Sequence, residues 1–136
     1  MKIVLDTNVI VSGFLSPYGN PAEIVRMVSV GEIRLCYDAR IITEYKEVLR
    51  KPKFQFNPEK IDIILDQIQY LGEIVSSKPL INSLPDPDDN PFLEVALAGN
   101  AEYLIIGNIN HFPNNLCQGI KIVSPSNFII EYKKIW

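Results

Sequence analysis

Short apolar runs alternate along this chain with longer segments whose apolar residues recur at helical spacing. The first run, Lys2 to Asp6, is apolar until it stops on a carboxylate, as a buried strand ending at a turn does. After a turn region, Asn20-Pro21 caps and starts a helix to about Val30, where Gly31 supplies the stop. Ile33 to Tyr37 reads as a second strand. Asp38 then stands at an N-cap position, ahead of a helix through about Arg50 with Ile41, Ile42, Tyr45, Val48 and Leu49 on its apolar side. Asn57-Pro58 opens another helix, carrying Ile61, Ile64, Leu65, Ile68 and Leu71 at helical spacing before Gly72 ends it. Glu73 to Ser76 is a short strand. Ser77 to Asp89 is too polar and too broken by prolines for regular structure. Asn90-Pro91 starts a helix to about Gly99 that is apolar almost all round and hence buried. Tyr103 to Ile106 and Ile120 to Val123 are the remaining strands, and Ser124-Pro125 begins a short terminal helix.

Alternation of this kind predicts an α/β fold around a mostly parallel sheet. The chain has 136 residues, 47% of them hydrophobic, and shows no repeat, low-complexity tract or linker, so residues 1–136 are expected to form one domain with a substantial core. No apolar stretch approaches a membrane span, and no basic segment followed by an apolar region and a cleavage site opens the chain. A cytoplasmic protein with no membrane partner is the expectation. Cys36 and Cys117 lack the spacing of a zinc or redox motif and are expected as buried free thiols. A net charge of −3 argues weakly against nucleic acid as a partner, and local clustering of bases matters more than the sum.

Such local clusters exist for both signs of charge. Asp6 ends a strand, and in open α/β sheets ligands sit at the carboxyl ends of strands. Glu44 lies within a helix after the next strand, and Asp86, Asp88 and Asp89 precede another helix. Two carboxylates about 4 Å apart repel by roughly 4 kcal/mol at an effective dielectric near 20, so a crevice that gathers Asp6, Glu44 and Asp89 calls for a cation between them. Hard oxygen donors select Mg²⁺ or Mn²⁺. Singly, each acid also has a plainer role: Asp6 as a cap for the following turn, Glu44 as a solvated helix residue near Lys46, and Asp86 to Asp89 as turn chemistry. Thr7 and Asn8 have short polar side chains able to bond the Asp6 carboxylate or cap a helix. Lys46, Arg50, Lys51 and Lys53 gather at the end of the Glu44 helix; they read first as a solvated face and second as the best candidates for phosphate contacts. Phe54, Phe56 and Tyr18 are able to stack on unpaired bases, although packing is the commoner role. The single histidine, His111, reads as packed or exposed rather than as a ligand.

Three blocks in this order resemble the PIN-domain family, and in particular its prokaryotic branch assigned as toxins of toxin–antitoxin pairs. They are Ile3-Val-Leu-Asp-Thr-Asn-Val-Ile-Val-Ser12, then Ile42-Thr-Glu-Tyr-Lys-Glu-Val-Leu-Arg-Lys-Pro-Lys-Phe54, and Asp86-Pro-Asp-Asp-Asn-Pro-Phe-Leu-Glu-Val-Ala-Leu-Ala98 followed by Ala101-Glu-Tyr-Leu-Ile-Ile-Gly107. The resemblance implies a three-layer α/β/α sandwich, Mg²⁺ or Mn²⁺ held by clustered acids, and endonucleolytic cleavage of single-stranded RNA. It also implies an antitoxin partner and a homodimer. The family's acids correspond to Asp6, Glu44 and Asp89, with Asp88 the adjacent candidate and Asn8, Thr7 and Asn108 orienting ligands or water. The chain departs from the family at one place: where Thr-Gly-Asp-x-Asp is usual it reads Ile106-Gly-Asn-Ile-Asn110, so two expected carboxylates are neutral amides. An active three-acid endoribonuclease is therefore one reading, and a weakened or inactive domain that binds RNA or protein is the other. A phosphoacceptor pocket is a distant third, since the late strands offer only Lys121.

Overall fold

The structure is a computed structural model and describes residues 1–135. Five parallel strands form its centre: β1 (Lys2–Leu5), β2 (Arg34–Tyr37), β3 (Glu73–Ile74), β4 (Tyr103–Ile105) and β5 (Lys121–Val123), in the order β3-β2-β1-β4-β5. Six helices connect or follow them: α1 (Thr7–Leu15), α2 (Asn20–Ser29), α3 (Ala39–Leu49), α4 (Pro58–Leu71), α5 (Asn90–Ala98) and α6 (Pro125–Ile135). From β1 the chain steps outward to β2 and β3, then returns to the other side of β1 as β4. Because parallel crossovers are right-handed, this reversal puts α1 to α4 on one face of the sheet and α5 on the other. The result is the three-layer α/β/α sandwich with a parallel sheet.

Burial explains the elements. Ile3, Val4, Leu5, Leu35, Cys36, Leu104 and Ile105 are wholly or almost wholly buried, because both faces of the strands are covered. Helix α5 lies against β1, β2 and β4 and buries Phe92, Leu93, Val95 and Ala96. On the opposite face α2 packs against α1, α4 and α6. Asp38 and Asn57 cap α3 and α4 by accepting from the amides of Ile41 and Glu59, as their positions predict.

The structure departs from the sequence pattern in several places. The segment expected as a turn region after the first strand contains α1. Its β-branched residues are poor helix formers, but the Asp6 carboxylate caps the first turn through the Val9 amide, and burial of Val9, Ile10 and Val11 outweighs propensity. Gly19, not Asn20, occupies the N-cap of α2, with Pro21 in the first turn. The third strand is two residues long, and α6, expected to be short, has eleven residues. The Ser77 to Asp89 connection is irregular up to a 3-10 turn, Pro87–Asp89. Side chains of the following helix hold that connection in place: Asn90 accepts from the Leu84 amide and Glu94 from the Leu80 amide.

Both cysteines are free and buried. No helix among the described residues is long and apolar enough to cross a membrane.

Candidate active site

The point where the chain reverses direction, between β1 and β4, opens a crevice at the carboxyl ends of these two strands. Leu5 pairs with Ile105 there, so Asp6 emerges beside Ile106, within reach of the Gly107 amide. The Asp6 carboxylate takes one amide from each segment: Oδ1 accepts from Val9 at 3.0 Å and Oδ2 from Gly107 at 3.0 Å. Burial raises its pKa above the ordinary range, those amides oppose the rise, and the charge of Asp89 adds to it. The plainer role of a cap and the position of a site acid thus belong to one side chain.

Helix α3 brings Glu44 to the same crevice, where the Thr7 hydroxyl donates to Glu44 Oε2. Thr7 therefore orients Glu44, not Asp6. One residue further along α3, the fully buried Tyr45 donates its hydroxyl to the Leu5 carbonyl at 2.5 Å and locks α3 to the end of β1. The 3-10 turn ahead of α5 supplies Asp89, whose carboxyl is raised by burial and lowered by the neighbouring His111, with the charges of Asp86, Glu44 and Asp88 raising it further. Asp89 Oδ2 is buried and accepts no hydrogen bond, although His111 Nδ1 stands 3.4 Å away within ion-pair range.

Asp6, Glu44 and Asp89 all line one cleft of about 320 Å³, together with Thr7, Asn8, Lys51, Lys53 and His111 and apolar walls that include Val48 and Phe54. Asp88 is exposed and does not line it; its amide donates to Asp86 in the turn. Asn108 lies outside the lining, and its Oδ1 accepts the Asn110 amide to start the 3-10 turn Ile109–His111. Of the four bases at the end of α3, Lys51 and Lys53 line the cleft, Lys46 does not, and Arg50 pairs with Asp62 of α4. Tyr18 is 96% exposed and also lies outside the lining. His111 is the cleft residue that sequence reasoning set aside. Its signal was position, four residues beyond the glycine that follows a strand at the switch point.

The donor set fits a hard divalent cation on two observations: three carboxylates face one cleft, and one of their oxygens is buried without a partner. Among the described residues no group of three or more acids, histidines or cysteines is placed to hold a metal ion. Mg²⁺ does not require one, since it keeps several waters and takes one or two carboxylates.

The family model described as PIN domain matches residues 2–110. The chain belongs to the PIN-domain family. This PIN domain is 27% identical over 146 residues to an uncharacterized protein of Methanocaldococcus jannaschii, MJ1680, a match covering 98% of this chain and 93% of the relative. Its fold is similar to that of a chain in the crystal structure of VapBC2 from Rickettsia felis bound to a DNA fragment from their promoter. That match has a TM-score of 0.58 and 18% identity, and it covers 91% of this PIN domain and 98% of the VapBC2 chain. The family match stops one residue before His111 and leaves α6 outside it.

Proposed function

We propose that this PIN domain is a divalent-metal-dependent endoribonuclease that cleaves single-stranded RNA and serves as the toxin of a toxin–antitoxin pair. The observation that carries the reading is the meeting of Asp6, Glu44 and Asp89, from three elements distant in sequence, in a cleft that also holds Lys51 and Lys53. Family membership and the structural likeness to a VapBC2 chain support it. An antitoxin partner and a homodimer belong to the same reading.

Asp6, Glu44 and Asp89 would hold Mg²⁺ or Mn²⁺, directly or through water. When bound, the cation lowers the pKa of a coordinated water and stabilises charge on the phosphoryl oxygens. The chain's own residues do the rest. Amides of Val9 and Gly107 fix the Asp6 carboxylate, and the Thr7 hydroxyl fixes Glu44. Lys51 and Lys53 offset phosphate charge in a crevice where Val11, Val48 and Phe92 limit solvent.

The test is cleavage of a mixed-sequence single-stranded RNA with Mg²⁺, with Mn²⁺ and with chelator. Asp6→Asn should lower the rate at least about a hundredfold, ~2.7 kcal/mol of barrier, while the protein remains folded. An unchanged rate in that variant overturns the reading. A lapsed, binding-only domain is favoured by one observation, the neutral Asn108 and Asn110 in place of acids. If Asn108→Asp switches on activity in a silent parent, the domain is a lapsed nuclease; if an active parent is unaffected, three acids suffice.

A further inference from the structure

The cleft has an apolar end whose construction the metal chemistry does not use. Beyond α3, the 3-10 turn Pro52–Phe54 sets Phe54 against the cleft, with Lys51 and Lys53 both just ahead of it in sequence. The Phe54 ring is stacked on Phe56, centroids 5.3 Å apart and planes 8° from parallel. Phe56 in turn meets Phe14 of α1 at 5.4 Å. Residue Gln55 between the stacked pair is left-handed, with φ of 54°, and its amide donates back to Pro52. Phe54 is thus backed by a second ring and tied to the helix that Asp6 caps. Simple packing accounts for Phe56, which lies outside the cleft lining. Phe54 differs: it lines the cleft, and the Lys53 ammonium sits over its ring, 5.0 Å from the centroid.

We propose that Phe54 is the stacking platform for an unpaired base next to the scissile phosphate, and that Lys53 holds the place of this base until RNA arrives. On binding, the base replaces the ammonium over the ring, and the released Lys53 joins Lys51 on the adjoining phosphates. Every base has a π-face, so the platform selects for single strands and not for sequence, whereas a duplex keeps its bases stacked on one another. This assignment rests on the nuclease reading and names the substrate feature that the same cleft recognises.

The experiment measures binding apart from cleavage. The full chain carrying Asp6→Asn is titrated, in chelator and at low salt, into a fluorescein-labelled unstructured RNA and into the same strand as a duplex. A second set uses 2-aminopurine in the single strand, whose emission is quenched by stacking. Phe54→Leu should weaken single-strand binding about tenfold and relieve the quenching, while leaving the weaker duplex binding unchanged. Phe54→Tyr should restore both. Circular dichroism reports whether each variant is folded, and Phe56→Leu serves as the packing control. Equal affinity of the Phe54→Leu variant and its parent, or an equal loss for single strand and duplex, overturns the platform. Tight, Phe54-dependent binding by a protein that never cleaves with metal overturns the nuclease reading and leaves the platform standing. No binding to any strand overturns the platform, and cleavage by the parent with metal then leaves the nuclease reading standing.

Discussion

Gly72 ends α4 with a backbone conformation open to any residue, so its importance lies in space and not in φ. A Cβ built there would stand 2.6 Å from the Leu35 carbonyl oxygen and 2.7 Å from that of Ile68, both backbone atoms that cannot swing aside. Gly72→Ala should therefore cost about 1–3 kcal/mol, read as a lower denaturant midpoint at unchanged m-value. Gly119 gives the contrast. Nothing lies within 4 Å of its would-be Cβ, but its φ is +87°, so alanine there meets only local backbone strain of about 1–2 kcal/mol. The Cys36 thiol illustrates burial acting on chemistry: desolvation and then the charge of Glu73 push it up to about 11, which keeps it protonated and poorly nucleophilic at neutral pH.

At the scale of elements, α5 carries a buried acid that its apolar pattern conceals. Glu94 is 7% exposed, accepts from Arg40 at 2.7 Å and from the Leu80 amide at 3.1 Å, and so joins the start of α3 to the long connection ahead of α5. Arg40 also pairs with the Asp38 cap at 2.7 Å. Arg40→Ala should cost about 1–3 kcal/mol, since it leaves a buried carboxylate short of its cation, and Glu94→Gln in that background should recover part of the loss. A thermal or denaturant double-mutant cycle measures both. The helices read correctly from sequence are those whose caps and stripes agree, such as α3 behind Asp38 and α4 behind Asn57. Helix α1 was illegible because its cap is the acid that ends β1, and because Val9, Ile10 and Val11 favour strands in isolation. Asp6 and Asp89 stood out as acids at element boundaries, and Glu44 as an acid within the helix after the second strand. The division among the bases was hidden, because side chains beyond the last turn of α3 are aimed by the turn at Pro52 and not by helical spacing. For the same reason Lys51 and Lys53 reach the cleft while Arg50 turns to Asp62.

For the whole molecule, the order β3-β2-β1-β4-β5 places the reversal at the centre of the sheet, so the cleft is built from segments near both ends of the sequence. A ligand that bridges these segments should stabilise the fold as a unit. Mg²⁺ or Mn²⁺ at a hundred times its Kd should add ~2.7 kcal/mol to stability, raising Tm by roughly 8 °C, and Asp6→Asn should abolish that rise. A shift of equal size in the variant would place the ion elsewhere. The two amides on the Asp6 carboxylate carry this coupling. Val9 and Gly107 lie on opposite sides of the crevice in chain terms, yet both N–H groups point at the same charge. Their proton resonances are therefore a built-in voltmeter for the site: a cation or a phosphate reaching Asp6 will move two peaks from distant parts of the chain together, before any bond is cut.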